Sequence, residues 1–118
     1  MRRACCCGKP DQSFTLERSL LCRTNQMRRV DLVEIRTGGG SKSAAAARSS
    51  KGRQERPVVA VTGRVHPGET PASFVIQGLL DFCTSDQEDA KHLRQCADIV
   101  VVPMLNPDGV FLGNYRSG

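Results

Sequence analysis

Pro57-Val58-Val59-Ala60-Val61-Thr62-Gly63-Arg64-Val65-His66-Pro67-Gly68-Glu69-Thr70 is the stretch around which the rest of this chain is organised. Pro57 to Thr62 is a short continuous apolar run, the pattern of a central strand buried on both faces. It delivers the chain to Arg64-Val65-His66-Pro67-Gly68-Glu69-Thr70, where an imidazole and a carboxylate flank a Pro-Gly turn. Proline fixes φ and glycine admits conformations closed to other residues, so both side chains can converge on one point. Neutral imidazole nitrogen and carboxylate oxygen are both zinc donors, and a catalytic zinc takes three protein ligands plus an open position. His66 and Glu69 are two such candidates; a His-x-x-Glu pair on its own is a weak signal.

After the turn, Thr70 is placed to act as an N-cap and Pro71 to occupy the first helical position, where its missing N–H costs nothing. Phe74, Val75, Gly78, Leu79 and Phe82 then form one helical stripe running to about Cys83, with Gly78 allowing close approach to a sheet. Ser85 followed by Glu88 reads as a capping box for a second helix whose main apolar contact is Leu93. Ile99-Val100-Val101-Val102-Pro103-Met104 is a second buried strand. Strand, helix, helix, strand is the pattern of a crossover between two parallel strands. Open α/β sheets place their sites beyond the carboxyl ends of strands, so the His66 turn and the Asn106-Pro107-Asp108-Gly109 turn should leave one sheet edge together.

Upstream, residues 19–36 suggest a hairpin, with Leu20-Leu21-Cys22 as one arm, a turn near Asn25-Gln26 and Val30 to Ile35 as the other. Residues 37–56 combine Gly38-Gly39-Gly40, the alanine run 44–47 and Lys42, Arg48, Lys51, Arg53 and Arg56. Such a composition buries too little apolar surface to offset its ordering entropy, so a mobile insertion is expected. Residues 1–12 read as a basic, Cys-rich, disordered lead; S-acylation of Cys5 to Cys7 is the competing reading.

The chain has 118 residues and a formal net charge of +5, with 4% aromatic residues. Residues 1–56 hold 13 of the 17 Lys and Arg against 5 acids, whereas residues 57–118 hold 4 against 7, so the basicity and the His66 motif belong to different halves. No aromatic residue is interleaved with the basic loop to stack on bases, which argues against nucleic acid as a partner. Six cysteines without C-x-x-C spacing read as reduced thiols of an intracellular protein. No apolar segment approaches the roughly 18 residues of a membrane span, and neither a membrane partner nor a secretory signal is expected.

These motifs carry a resemblance. Residues 56–118 resemble the first half of the catalytic domain of a zinc metallocarboxypeptidase of the M14 family, in its cytosolic carboxypeptidase branch. His66-Pro67-Gly68-Glu69-Thr70 is similar to the branch's first zinc motif. Pro103-Met104-Leu105-Asn106-Pro107-Asp108-Gly109-Val110, followed by Gly113-Asn114-Tyr115-Arg116, is similar to its second signature. Pro71, Ser73-Phe74-Val75 and Leu80-Asp81-Phe82 lean toward the type-5 group of that branch, whose members remove the branch-point glutamate from polyglutamylated tubulin. Leu20 to Thr24 and Val30 to Leu32 also resemble strands that precede the zinc motif.

The resemblance implies an α/β fold: a partial mixed or parallel sheet with crossover helices, the first half of a zinc carboxypeptidase fold. The implied divisions are a lead over 1–12, a hairpin over 13–36, a basic loop over 37–56 and the amino-terminal half of the peptidase domain over 57–118. It makes His66 and Glu69 two of three ligands to one zinc ion and Arg116 the catalytic cation beside the scissile carbonyl. The implied reaction is zinc-dependent removal of C-terminal residues, glutamate above all, from acidic tails such as polyglutamylated tubulin. The implied location is the cytoplasm, in association with microtubules. In the family the third ligand (a histidine), an Asn-Arg pair for the terminal carboxylate and the general-base glutamate lie beyond the Asn-Pro-Asp-Gly signature. They are absent here, and His92 reads as a solvent-facing helix residue. A truncated product, inactive alone and weak in zinc binding, is therefore expected. The alternatives are a non-catalytic binding module that keeps part of the fold, and a related zinc hydrolase acting on N-acyl amino acids.

Overall fold

The computed structural model describes residues 14–38 and 56–116; the lead over 1–12 and most of the loop expected over 37–56 lie outside them. Among the described residues the order is β1 (Phe14–Arg23), β2 (Arg29–Thr37), β3 (Val58–Thr62), α1 (Pro71–Thr84), α2 (Glu88–Cys96), β4 (Asp98–Val102) and α3 (Pro107–Leu112). No helix of the described residues is long and apolar enough to cross a membrane.

The strands form one mixed sheet in the order β1-β2-β4-β3. β1 and β2 make the expected hairpin, from Phe14 opposite Thr37 to Arg23 opposite Arg29, with a register shift between Leu20 and Cys22. Its extent is close to the 13–36 expected for the hairpin, but its first arm is longer than Leu20-Leu21-Cys22. The charged alternation Thr15-Leu16-Glu17-Arg18 hides an outer strand that is mostly exposed. Thr37 belongs to β2 and is buried, and Arg56 pairs with Asp98 at 2.9 Å, so both ends of the expected 37–56 loop are anchored.

β4 runs antiparallel to β2, with Val33 opposite Val101 and Ile35 opposite Ile99. It runs parallel to β3, from Val58 opposite Asp98 to Thr62 opposite Val102. The parallel crossover is thus as expected, but among the described residues β3 lies at the edge of the sheet rather than at its centre. Among the described residues it has β4 as its one partner, and Val58 and Val59 are 61% and 41% exposed. An apolar run records what a strand is suited to bury against, not how many neighbours it has.

Residues of one pleat face, Val33, Ile35, Ile99 and Val101, pack with Ile76 and Cys83 of α1 into the core. Phe14, Val61, Leu79, Leu80, Phe82 and Leu93 close around it. The stripe expected on α1 is therefore rotated. Ile76 and Cys83 point inward, while Phe74 and Val75 are 74% and 69% exposed and a Cβ on Gly78 would meet nothing within 4 Å. α1 is apolar around most of its circumference, so periodicity alone did not fix its orientation.

Helix starts also differ in detail. Pro71 takes the first turn of α1 as expected, but the Thr70 side chain makes no capping bond. The capping box at Ser85 does not form. α2 starts at Glu88 after Gln87, while Ser85 Oγ donates to the Phe82 carbonyl at 2.8 Å. Arg94, in the last turn of α2, is buried. Its guanidinium donates to the carbonyls of Cys83 at 2.7 Å and Ser85 at 2.9 Å and lies over the Phe14 ring at 4.4 Å. Its own carbonyl accepts from Thr37 Oγ1 at 2.8 Å. One cation thus ties the α1–α2 connection to the first strand pair.

Candidate metal centre

β3 and β4 are parallel and adjacent, so the segments leaving their carboxyl ends start side by side. The backbone stitches them together. Gly63 N–H donates to the Val102 carbonyl at 3.0 Å, Leu105 N–H to Gly63 O at 2.9 Å and Asn106 N–H to Arg64 O at 3.1 Å. Gly63 is needed for this approach, because a Cβ there would sit 2.9 Å from Ile76 Cγ1 and 3.0 Å from the Pro103 carbonyl oxygen.

Arg64 follows with φ of 53°, in the left-handed region that costs a non-glycine residue energy. Its side chain offsets that cost. Nη2 donates to the Pro67 carbonyl at 2.6 Å and Nη1 to Ser73 Oγ at 2.8 Å. The guanidinium thereby spans the turn from below, gripping its apex and the first turn of α1. Glu69 N–H donates to the His66 carbonyl at 3.2 Å and Thr70 N–H to Gly68 O at 2.9 Å, completing a tight turn.

On this turn His66 Nδ1 and Glu69 Oε1 lie 3.0 Å apart, both partly open to solvent. Two ligands on one tetrahedral zinc, each about 2.0–2.1 Å from it, are roughly 3.3 Å apart, so the pair needs to open by only a few tenths of an ångström. The two atoms are within hydrogen-bonding distance of each other, and a metal ion held by both would sit between them. The donor set, one neutral imidazole and one carboxylate, suits zinc. Among the described residues no group of three His, Cys, Asp or Glu is clustered to hold a metal. His92, exposed on α2, does not join the pair.

The second signature is not a turn but a helix start. Asn106 is the N-cap of α3, its Oδ1 accepting from Gly109 N–H at 2.9 Å, with Pro107 in the first helical turn. α3 ends at Gly113, whose φ of 74° provides the left-handed exit that glycine accommodates. The chain then turns back so that the Tyr115 carbonyl accepts from Gly68 N–H at 2.8 Å. This bond brings the backbone at Arg116 beside the His66–Glu69 turn, with the Arg116 side chain exposed. The packing is close. A Cβ on Gly68 would fall 2.5 Å from Tyr115 Cδ2 and 2.9 Å from the Tyr115 carbonyl oxygen, and one on Gly109 would fall 2.3 Å from Pro67 Cγ.

Asp108, in the first turn of α3, reaches across to the β1–β2 turn. Its Oδ1 accepts from Thr24 Oγ1 at 2.8 Å and Arg28 Nη1 at 3.0 Å, and Oδ2 from Gln26 N–H at 3.4 Å. Partial burial pushes its carboxyl up, but the bonds from Thr24, Arg28 and Gln26 outweigh that and hold it below its ordinary value. No sequence pattern joins residues 24–28 to 108.

A mixed sheet with His66-x-x-Glu69 at one carboxyl edge and an Asn-Pro-Asp-Gly helix start at the next defines a zinc carboxypeptidase-type scaffold. Comparison agrees, since residues 12–117 match the family model of zinc carboxypeptidases, Peptidase_M14. The chain belongs to that family. It is 46% identical over 99 residues to human cytosolic carboxypeptidase 6, covering 84% of this chain and 18% of that protein. It is 55% identical over 64 residues to cytosolic carboxypeptidase 2 of Danio rerio, covering 54% of this chain and 9% of that one. A metallo-carboxypeptidase from Burkholderia cenocepacia superposes with a TM-score of 0.68 at 25% identity, over 87% of this chain and 25% of that one. The chain thus spans less than a fifth of the length of these two curated relatives. They bear out the cytosolic branch and do not single out its type-5 group.

Proposed function

We propose that this chain supplies the first part of a zinc metallocarboxypeptidase site, with His66 and Glu69 as two ligands of one zinc ion and Arg116 as the cation beside the scissile carbonyl. The observation that carries this reading is the convergence of His66 Nδ1 and Glu69 Oε1 to 3.0 Å on a turn to which Tyr115 is hydrogen-bonded. When bound, zinc supplies a Lewis acid for the peptide carbonyl and acidifies water. The residues of this chain orient that chemistry. Arg64 fixes the ligand turn through Pro67 and Ser73. The Gly68–Tyr115 bond sets where Arg116 begins, so that its guanidinium can offset negative charge developing on the carbonyl oxygen. The remaining ligand and the proton-transferring group come from outside the described residues.

The substrate we assign is the acidic C-terminal tail of a protein, polyglutamylated tubulin being the leading case, and the location is the cytoplasm near microtubules. The names of the relatives support a cytosolic enzyme. A cavity of about 380 Å³ at the carboxyl end of β4 supports an acidic partner, because Arg18 and Arg29 line it against the single carboxylate of Asp31.

The test is a chimera in which this chain replaces the matched 99 residues of human cytosolic carboxypeptidase 6. It should release C-terminal glutamate from a polyglutamylated tubulin-tail peptide, and H66A or E69A should abolish release. R116A should lower kcat by about 10²–10³-fold, the usual loss for one oxyanion-stabilising group. A folded, zinc-loaded chimera without peptidase activity would overturn the catalytic reading in favour of a binding module. The 118-residue chain by itself should release no glutamate.

A further inference from the structure

The antiparallel pairing of β2 with β4 brings the start of β2, and with it the β1–β2 turn, to the sheet edge where β4 ends and α3 begins. The turn is well formed. Thr24 N–H donates to Arg28 O and Met27 N–H to Thr24 O, both at 2.9 Å, and Met27 has φ of 63°. Thr24 Oγ1 also accepts from Arg28 N–H at 3.0 Å while donating to Asp108.

From this turn Arg28 holds α3 at two points. Its Nη1 is 3.0 Å from Asp108 Oδ1, with both side chains largely shielded, and its guanidinium carbon lies 3.8 Å over the centroid of the Phe111 ring. Asp108 and Phe111 are three residues apart and share one face of α3. A charge-assisted bond plus a guanidinium–aromatic stack fixes both the position of a helix and its rotation. α3 needs that support, since six residues are too few to be stable without tertiary contacts. Two residues beyond its Gly113 cap lies Tyr115, whose carbonyl meets Gly68 between His66 and Glu69.

We infer that Arg28 is a positioning residue for the metal-binding turn: through Asp108 and Phe111 it seats α3 so that the Tyr115–Arg116 segment closes on Gly68. The inference rests on the function proposed above for its chemical meaning, but the coupling it asserts is independent of zinc. Arg28 touches neither ligand; its effect passes through α3. Its charge and its planar shape are both used, so lysine replaces only half of it.

The experiment is residue-resolved amide hydrogen exchange on the full 118-residue chain in EDTA, comparing wild type with Arg28→Ala, Arg28→Lys and Phe111→Leu. With Arg28→Ala, exchange of the Gly68 and Asn114 amides should quicken by tenfold or more while that of Val101 in the core stays within twofold. Arg28→Lys and Phe111→Leu should each give a smaller, threefold or greater, quickening at Gly68. Phe111 is 72% exposed, so its replacement leaves the core intact and remains informative even if Arg28→Ala loosens the whole chain. Quickening confined to the Met27 amide, with Gly68 unchanged in Arg28→Lys and Phe111→Leu, would show that the clamp only staples its own hairpin and would overturn the inference. If Gly68 responds as expected yet zinc fails to perturb His66, the positioning role stands and the proposed function falls.

Discussion

Replacing Gly109 by alanine sets two effects of opposite sign against each other. Alanine is favoured over glycine inside a helix by about 1 kcal/mol, so propensity alone makes Gly109→Ala stabilising in α3. The contacts say otherwise. The new Cβ would lie 2.3 Å from Pro67 Cγ and 3.0 Å from both Oδ1 and Nδ2 of Asn106. Pro67 is a buried ring in a turn pinned by Arg64, and Asn106 is the N-cap whose Oδ1 takes the Gly109 N–H. Neither can retreat freely. Overpacking costs about 1–3 kcal/mol, and loss of the cap adds about 1 kcal/mol. The net effect should be a destabilisation of about 1–3 kcal/mol. With a urea dependence of about 1–1.5 kcal/mol per molar for a small domain, the midpoint falls by roughly 0.7–3 M. Tyr115 is the single tyrosine and tryptophan is absent, so intrinsic fluorescence reads the α3 exit directly. A midpoint that stays level or rises would refute the interlocking of α3 with the Pro67–Gly68 turn.

Asp31 is held below its ordinary 3.8 chiefly by the hydrogen bond from Arg18, against some desolvation, with Arg29 adding to the effect; Asp108 is lowered as well. Both carboxyls therefore bind protons more weakly folded than unfolded. The stability they contribute is full above about pH 4 and is lost as pH falls through their folded values; urea midpoints taken from pH 6 down to 3 should fall, and D31N should flatten that fall. Cys83 is fully buried, and burial pushes its thiol up, whereas Cys22 and Cys96 are exposed. Peptide mapping after native iodoacetamide treatment should find Cys22 and Cys96 alkylated and Cys83 unmodified; rapid labelling of Cys83 would contradict the core assignment. Arg94→Ala leaves the carbonyls of Cys83 and Ser85 without their donor and should cost about 2–4 kcal/mol, read as a lowered urea midpoint, whereas an effect below 0.5 kcal/mol would remove Arg94 from the framework.

The elements near the site were largely legible because their signals are local. An apolar run ending in glycine, a Pro-Gly turn and a proline at the first helical position all act within a few residues. Neighbourhood was not legible. Val58 to Thr62 reads as a doubly buried strand, yet sheet order makes it an edge among the described residues, and nothing local encodes that order. The rotation of α1 was underdetermined because Phe74, Val75, Ile76, Leu79, Leu80 and Phe82 surround the helix. Asn106-Pro107-Asp108-Gly109 reads as a turn from its turn-forming residues, yet α3 starts there, where Asp108 finds Thr24 and Arg28. The bonds from Arg28 to Asp108 and from Arg94 to Cys83 pair residues 80 and 11 positions apart, at spacings that carry no periodic signature. His66 and Glu69, three residues apart on one turn, were the easiest candidates to pair from the sequence, and the structure brings them to 3.0 Å.

The central claim is that His66 and Glu69 are co-ligands, and it is tested most directly by adding Zn2+ to isotopically labelled chain and following the His66 imidazole and Glu69 carboxylate resonances. The account predicts that both move together, weakly and with one common midpoint, and that H66A abolishes the response of Glu69. If saturating Zn2+ leaves both unmoved, or moves Glu69 equally in H66A, the pair is not half of a metal centre.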